Sequence, residues 1–437
     1  MQTVDTLIHA RWVIPVAPRG VVLDNHSVAI DGDKIIALLP TSEAKGRYSA
    51  RHEHQLAEHA LIPGLVNLHG HSAMTLLRGL ADDLALMDWL NHHIWPAEKR
   101  HLSDEFVFDG TCLAMAEMLR SGTTTVNDMY FFHDAVARAG LTARMRTVVG
   151  ASILEFPTAY GVDAEDYLSK AISSRDRFIG EPLVTFTLAP HAPYTVSDAT
   201  FRRVVTLAEQ LELGVHCHIH ETEEEIAGSL KEHGRRPLQR LHELGLLTPN
   251  LIAAHMVHTT PEEIELLARQ GVTIAHNPAS NMKLASGIAQ IQAMRDADIA
   301  VGIGTDGAAS NNKLDMFAEM RLAAFLGKVG GNPKALPAAE VLEMATLGGA
   351  RALGMADQIG SITPGKQADL AAVDLSALET QPCYDPISHL VYAAGREQVS
   401  DVWVAGKALL QSRELTTLNQ RELVAKARWW GERVAKA

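Results

Sequence analysis

The chain is poor in cysteine: Cys112, Cys217 and Cys383 lie far apart, with no Cys-x-x-Cys pair among them. This excludes a disulfide framework and a cysteine-built zinc site, and it fits a reducing compartment. No uninterrupted apolar run approaches the roughly 18 residues of a membrane span, and Asp5 stands where a secretory leader carries positive charge. The expectation is a cytoplasmic protein with no membrane partner. Blocks rich in lysine and arginine are also missing, and the formal net charge is −13, so a nucleic-acid polymer is not an expected partner.

What the chain does have is bulk and histidine. Its 437 residues are 47% hydrophobic, enough for one large buried core with an accessory domain. Residues 3–57 read as β-rich and turn-punctuated, with Asp31-Gly32-Asp33 as a turn signal, and the C-terminal stretch looks similar before a final helix. The two ends are therefore expected to pair into a composite β-sandwich domain, 1–57 plus 363–437, beside a catalytic domain spanning 58–362. Within the latter, apolar strand-like runs alternate with helical stretches at 61–68, 123–129, 143–151, 183–189, 213–219, 251–257, 271–276 and 299–305. Eight βα units over this length predict a (β/α)8 barrel, whose chemistry gathers at the C-terminal ends of the strands.

Polar residues accumulate at those ends. The first run stops at His69-Gly70-His71, the fourth at His191, the fifth at His216-Cys217-His218-Ile219-His220-Glu221, the sixth at His255 and the eighth at Asp306. Alternate residues of a strand share a face, so His69 and His71 can grip one ion. With a fifth-strand histidine and Asp306 they make a His3Asp set, which suits a single divalent metal, zinc first, with a position left for water. His218 is the expected ligand of its strand, because His216 lies deeper in the barrel and His220 past the rim. Those two are expected to be a buried hydrogen-bonded residue and a loop residue. The fourth strand offers no lysine for carbamylation, which favours one metal over two. Glu221 stands one loop residue beyond the metal shell, placed to give a proton to a substrate ring nitrogen. Glu223, Glu224 and Glu225 read as a solvated first helical turn, and His93, His101, His133, His233 and His242 as solvated side chains.

Several strings carry a family likeness: ProGlyLeuValAsnLeuHisGlyHis, ProHisAlaProTyr (190–194), HisIleHisGluThr (218–222), AlaHisMetValHis (254–258), HisAsnProAlaSerAsnMetLysLeuAlaSerGly (276–287) and GlyThrAspGlyAlaAlaSerAsnAsn (304–312). Over nearly the whole chain the sequence resembles the amidohydrolase superfamily, and within it the 5-methylthioadenosine/S-adenosylhomocysteine deaminases of the branch that also holds the triazine hydrolases. The resemblance implies hydrolytic deamination at C6 of an adenine nucleoside. It implies zinc on His69, His71, His218 and Asp306, proton transfer by Asp306, N1 protonation by Glu221, and stabilisation of the reacting centre by His255. It further implies a ribose contact by Glu98, nine residues after Trp89, and a nucleoside contact by His191. Family members are often dimers or tetramers, so a homo-oligomer is expected.

One departure bears on substrate. Some family members carry arginines at the end of the third strand and in the loop after it, suited to the carboxylate of S-adenosylhomocysteine. Residues 147–161 here contain none, so methylthioadenosine is the expected favourite, ahead of S-adenosylhomocysteine and adenosine. Rival readings are a deaminase or chlorohydrolase of guanine, cytosine or a triazine and, more remotely, a catalytically silent scaffold. The H-x-E…P-C-x-x-C signature of nucleic-acid cytidine deaminases is absent.

Overall fold

The computed structural model describes residues 1–436. It contains two eight-stranded sheets, and the chain divides into two compact units. One unit comprises Met1–Asn67, Ala116–Thr125 and Asp315–Asn419; the other comprises Leu68–Met115, Val126–Leu314 and the described residues from Gln420 onward.

The barrel sheet is built from β1 (Leu65–Gly70), β2 (Thr123–Tyr130), β3 (Arg146–Ile153), β4 (Val184–Pro190), β5 (Gly214–Ile219), β6 (Leu251–His255), β7 (Thr273–His276) and β8 (Val301–Ile303), hydrogen-bonded in that order. Registered pairs such as β5 with β6 and β7 with β8 are parallel. Strands such as β3 and β6 are buried along their whole length, so their sequences do not alternate between apolar and polar as a half-exposed strand does. The end of β8 approaches β1 closely: Asp306 N–H donates to His69 O at 2.9 Å. A Cβ on Gly304 would lie 2.7 Å from the backbone nitrogen of His69, so only glycine lets the two chain segments come this near. All eight expected strands are present, shifted by a few residues at their ends. The largest shift is at the first, because residues 61–63 belong to strand Tyr48–Pro63 of the other sheet.

That second sheet joins strands from both ends of the sequence. Gln2–Val13 pairs parallel with Tyr48–Pro63, which pairs antiparallel with Leu370–Asp374. Ile8, Ala10, Val28 and Ile30 enter one core while Leu7 and Ala29 enter another, the two-residue alternation of a sheet with two covered faces. Ile35 and Trp403 share the first core although their strands are far apart in the sheet order, so the sheet folds over itself.

The helices around the barrel are capped by residue types that the chain places at their starts. Ser197 and Thr260 accept backbone N–H groups of their first turns, and Thr260 and Glu263 form a reciprocal capping box. The final helix, Gln420–Ala435, buries Trp430 edge-on to Phe106, and its indole N–H donates to Asp109 Oδ2 at 3.1 Å. No helix among the described residues is long and apolar enough to cross a membrane.

Candidate active site

The ends of β1, β5 and β8 converge. Nε2 of His69 and of His71 lie 3.3 and 3.2 Å from Asp306 Oδ1, and Nε2 of His218 lies 3.3 Å from Nε2 of His71. The other nitrogens of these rings are already engaged. His71 Nδ1–H donates to Met129 O and His218 Nδ1–H to His191 O, both at 2.7 Å, while His69 Nδ1 is bonded to His216 Nε2 at 2.9 Å. A carbonyl accepts only, so these partners fix the proton of His71 and His218 on Nδ1 and turn the Nε2 lone pairs toward each other. Nε2 atoms 3.3 Å apart need a proton or a cation between them. His69 Nε2 is itself buried with no hydrogen-bond partner.

Electrostatics divides the three rings. Burial pushes His69 down to about 4 and His218 well below its ordinary value, keeping both neutral as imidazole ligands must be. For His71 burial also opposes charge, yet the hydrogen bond to Asp306 and its carboxylate charge outweigh it and lift the ring to about 9. Asp306 also receives hydrogen bonds from Ser280 Oγ to Oδ2 (2.6 Å) and from Gly307 N–H to Oδ1 (2.8 Å). Two imidazole nitrogens on a carboxylate oxygen and a third beside them, with outer partners holding each ring, make a donor set that suits a divalent metal. The residues present fit such an ion.

The same strand ends hold backbone strain. His255 (φ +75°), Asp306 (φ +61°) and His220 (φ +56°) are left-handed without being glycine, which costs on the order of 1–3 kcal/mol each and clusters at functional sites. His255 Nδ1–H donates to Asn281 Oδ1 at 2.8 Å, and its Nε2 stands 3.7 Å from Glu221 Oε2. Burial raises the Glu221 carboxyl above its usual range.

One pocket opens over this cluster. It is lined by His71, His218, Glu221, His255 and Asp306 at one end and by Trp89, Glu98, His191 and apolar side chains elsewhere. Glu98 is buried and accepts the Tyr130 hydroxyl at 2.6 Å; burial pushes its carboxyl up to about 7, against the pull of that hydrogen bond. His191 Nδ1 is bonded to Thr195 Oγ1 at 3.0 Å, and burial lowers its ring to about 3. Every site residue expected from sequence is therefore gathered here; His69 alone does not line the pocket, lying fully buried beneath it.

The profile of the amidohydrolase family matches residues 60–409. This chain belongs to that family. A 5-methylthioadenosine/S-adenosylhomocysteine deaminase of Teredinibacter turnerae is 47% identical over 433 residues, covering 99% of this amidohydrolase and 98% of the relative. A zinc-bound crystal structure of an adenosine deaminase from Xanthomonas campestris has a TM-score of 0.99 at 51% identity and covers both chains completely. Zinc-bound atrazine chlorohydrolase from Arthrobacter aurescens has a TM-score of 0.91 at 24% identity over 97% and 99% of the two chains, a likeness of fold alone.

Some expectations for this amidohydrolase need correcting. Glu225 is not solvated: it is buried, its carboxylate turned back onto the backbone ahead of it. His133 is fully buried against Tyr160, because the helix it begins packs that face inward. His220 follows β5 as expected but is buried, with Nε2 accepting the Leu238 N–H at 3.1 Å. Sequence reading also passed over Ser280 and Asn281, which steady Asp306 and His255 from helix Pro278–Lys283. Their signal was the HisAsnProAlaSerAsnMetLysLeu string, which carries the family likeness without announcing a task for either residue.

Proposed function

We propose that this amidohydrolase removes the 6-amino group of adenine nucleosides by hydrolysis, with 5′-methylthioadenosine the preferred substrate and S-adenosylhomocysteine and adenosine also accepted. One zinc ion per chain, held by His69, His71, His218 and Asp306, supplies the Lewis acidity that makes water a nucleophile near neutral pH. Asp306 takes the proton of the attacking water and delivers it to the departing nitrogen, so that ammonia leaves and a hypoxanthine nucleoside remains. Glu221 protonates N1, relieving the charge that builds on the ring as C6 becomes tetrahedral; its raised pKa suits a general acid. His255, oriented by Asn281, stabilises the attacking hydroxide and the tetrahedral centre.

In the same pocket Glu98, held by Tyr130, accepts from the ribose hydroxyls, and Trp89 and His191 contact the nucleoside. The pocket's apolar lining includes Leu154 and Phe131, and among the described residues no lysine or arginine lines it. A methylthio group is at home there, whereas a homocysteine carboxylate finds no cation. Apolar walls discriminate modestly, by roughly 1–3 kcal/mol per methylene, so activities overlap.

The observation that carries this reading is the buried carboxyl of Glu221 beside the four-ligand cluster, in the same pocket as Glu98. Relatives named for adenine nucleosides support it. Zinc-loaded protein should convert the absorbance of methylthioadenosine from adenine-like to hypoxanthine-like while releasing ammonia. No change with any adenine nucleoside, together with turnover of guanine or a chlorotriazine, would overturn the proposal.

A further inference from the structure

Glu225 is a buried carboxylate to which the chemistry above gives no task. It sits on the first turn of helix Glu223–His233, where Thr222 Oγ1 accepts its backbone N–H at 3.2 Å. Its side chain turns back toward β5: Oε1 accepts the N–H of His220 and Oε2 the N–H of Glu221, each at 2.9 Å. No lysine or arginine pairs with it among the described residues, and burial pushes it up to about 7. A carboxylate buried without a cation is costly, and two charge-assisted backbone bonds are its compensation.

Those bonds act on a strained turn. His220 is left-handed at φ +56°, and it is the residue that re-aims the chain between β5 and Glu221. Its carbonyl accepts the N–H groups of Val257 and His258 at 2.9 and 3.1 Å, so the same turn is stitched to the segment just past His255. Both oxygens of Glu225 are therefore spent on holding the peptide units that set where Glu221 and His255 stand relative to each other.

We propose that Glu225 is a positioning residue that clamps the His220–Glu221 backbone and so holds the Glu221 carboxyl beside His255. The inference rests on the general-acid role given to Glu221. Its test is a double-mutant cycle on the zinc-loaded protein with methylthioadenosine, using E221Q, E225Q and the pair. Glutamine keeps one acceptor but faces the second N–H with its own NH2. E225Q should lower kcat by roughly ten- to a hundred-fold, leave KM within about three-fold and shift the pH profile of kcat. Added to E221Q, it should cost almost nothing more, because its route of action is already gone.

A wild-type kcat in E225Q, or losses that multiply in the pair, would overturn the clamp, since a merely structural residue damages both backgrounds alike. A fully active E221Q would instead overturn the acid assignment itself, and the clamp with it. If E225Q is recovered unfolded, E225D takes its place in the cycle, keeping the charge but withdrawing both oxygens by one methylene. The same loss of kcat, absent in the E221Q background, supports the clamp, and multiplying losses overturn it.

Discussion

Two buried histidine clusters in this protein look alike on paper and differ in one respect. In the terminal sheet, His9 Nδ1 is bonded to Ser27 Oγ at 2.6 Å and Nε2 to Glu53 Oε1 at 3.1 Å, a serine, a histidine and a carboxylate in line. At the barrel rim, His69 and His71 face Asp306, His218 stands 3.3 Å from His71, and Nε2 of His69 has no hydrogen-bond partner. The first cluster is saturated, and Ser27 is fully buried where no substrate can reach it. The second lies under a pocket and is unsatisfied until a cation joins it. Completed hydrogen bonding marks structure; a deficit that one particular ligand would cure marks function.

The sharpest way to break that contrast is to disable the rim. Asp306→Asn should lower kcat/KM by at least about 10³-fold, removing a metal ligand and the proton carrier together, while the melting temperature of the metal-free protein stays close to wild type. Steady-state kinetics and thermal unfolding of one preparation check both halves. Chelation should do the same to the wild type, with activity returning on addition of zinc. Next in size, Glu221→Gln should cost about 10²–10⁴-fold in kcat with zinc content unchanged; loss of zinc instead would show that Glu221 serves the metal.

How much of this was legible beforehand follows from how local each feature is. His69, His71, His218 and Asp306 could be read because a barrel presents its ligands at strand ends and strand periodicity sets their faces. The barrel itself followed from eight apolar runs with helical spacers. Glu225 could not be read, because its neighbours Glu223 and Glu224 are exposed and only the left-handed turn at His220 brings two N–H groups within its reach. His133 was misjudged for a similar reason: which face of a helix packs inward is decided by partners far away in sequence. Ser280 and Asn281 act through single side-chain bonds across loops, which no periodicity announces.

A smaller effect is expected at Glu98, to which the proposal gives the sugar rather than the reacting carbon. Its carboxyl is raised to about 7 by burial, so the ionised acceptor is scarce below that pH and dominant above it. KM for methylthioadenosine should therefore fall as pH rises through about 7 and then level off. Glu98→Gln should flatten this dependence and weaken kcat/KM by roughly ten- to a hundred-fold, the worth of a hydrogen bond to a charged group. A 2′-deoxy substrate should lose much less in the variant than in the wild type.

The smallest effect on activity belongs to the other cluster, where the loss is one of folding. His9→Ala removes a buried ring and leaves Ser27 with only its Thr41 bond at 2.9 Å, so unfolding should become easier by about 2–4 kcal/mol. Turnover should stay within about two-fold of wild type, since no catalytic task falls to the saturated cluster. His71→Ala is the mirror experiment. It leaves the buried Asp306 carboxylate without the ring 3.2 Å away and so should cost the metal-free protein at least as much as His9→Ala does. Added zinc should raise the melting temperature of wild type and of His9→Ala alike, because an ion that binds only the folded state stabilises by mass action. It should leave His71→Ala almost unmoved. If zinc stabilised His71→Ala as strongly as wild type, the unsatisfied rim would not be the metal's binding place, and the distinction between the two clusters would fail.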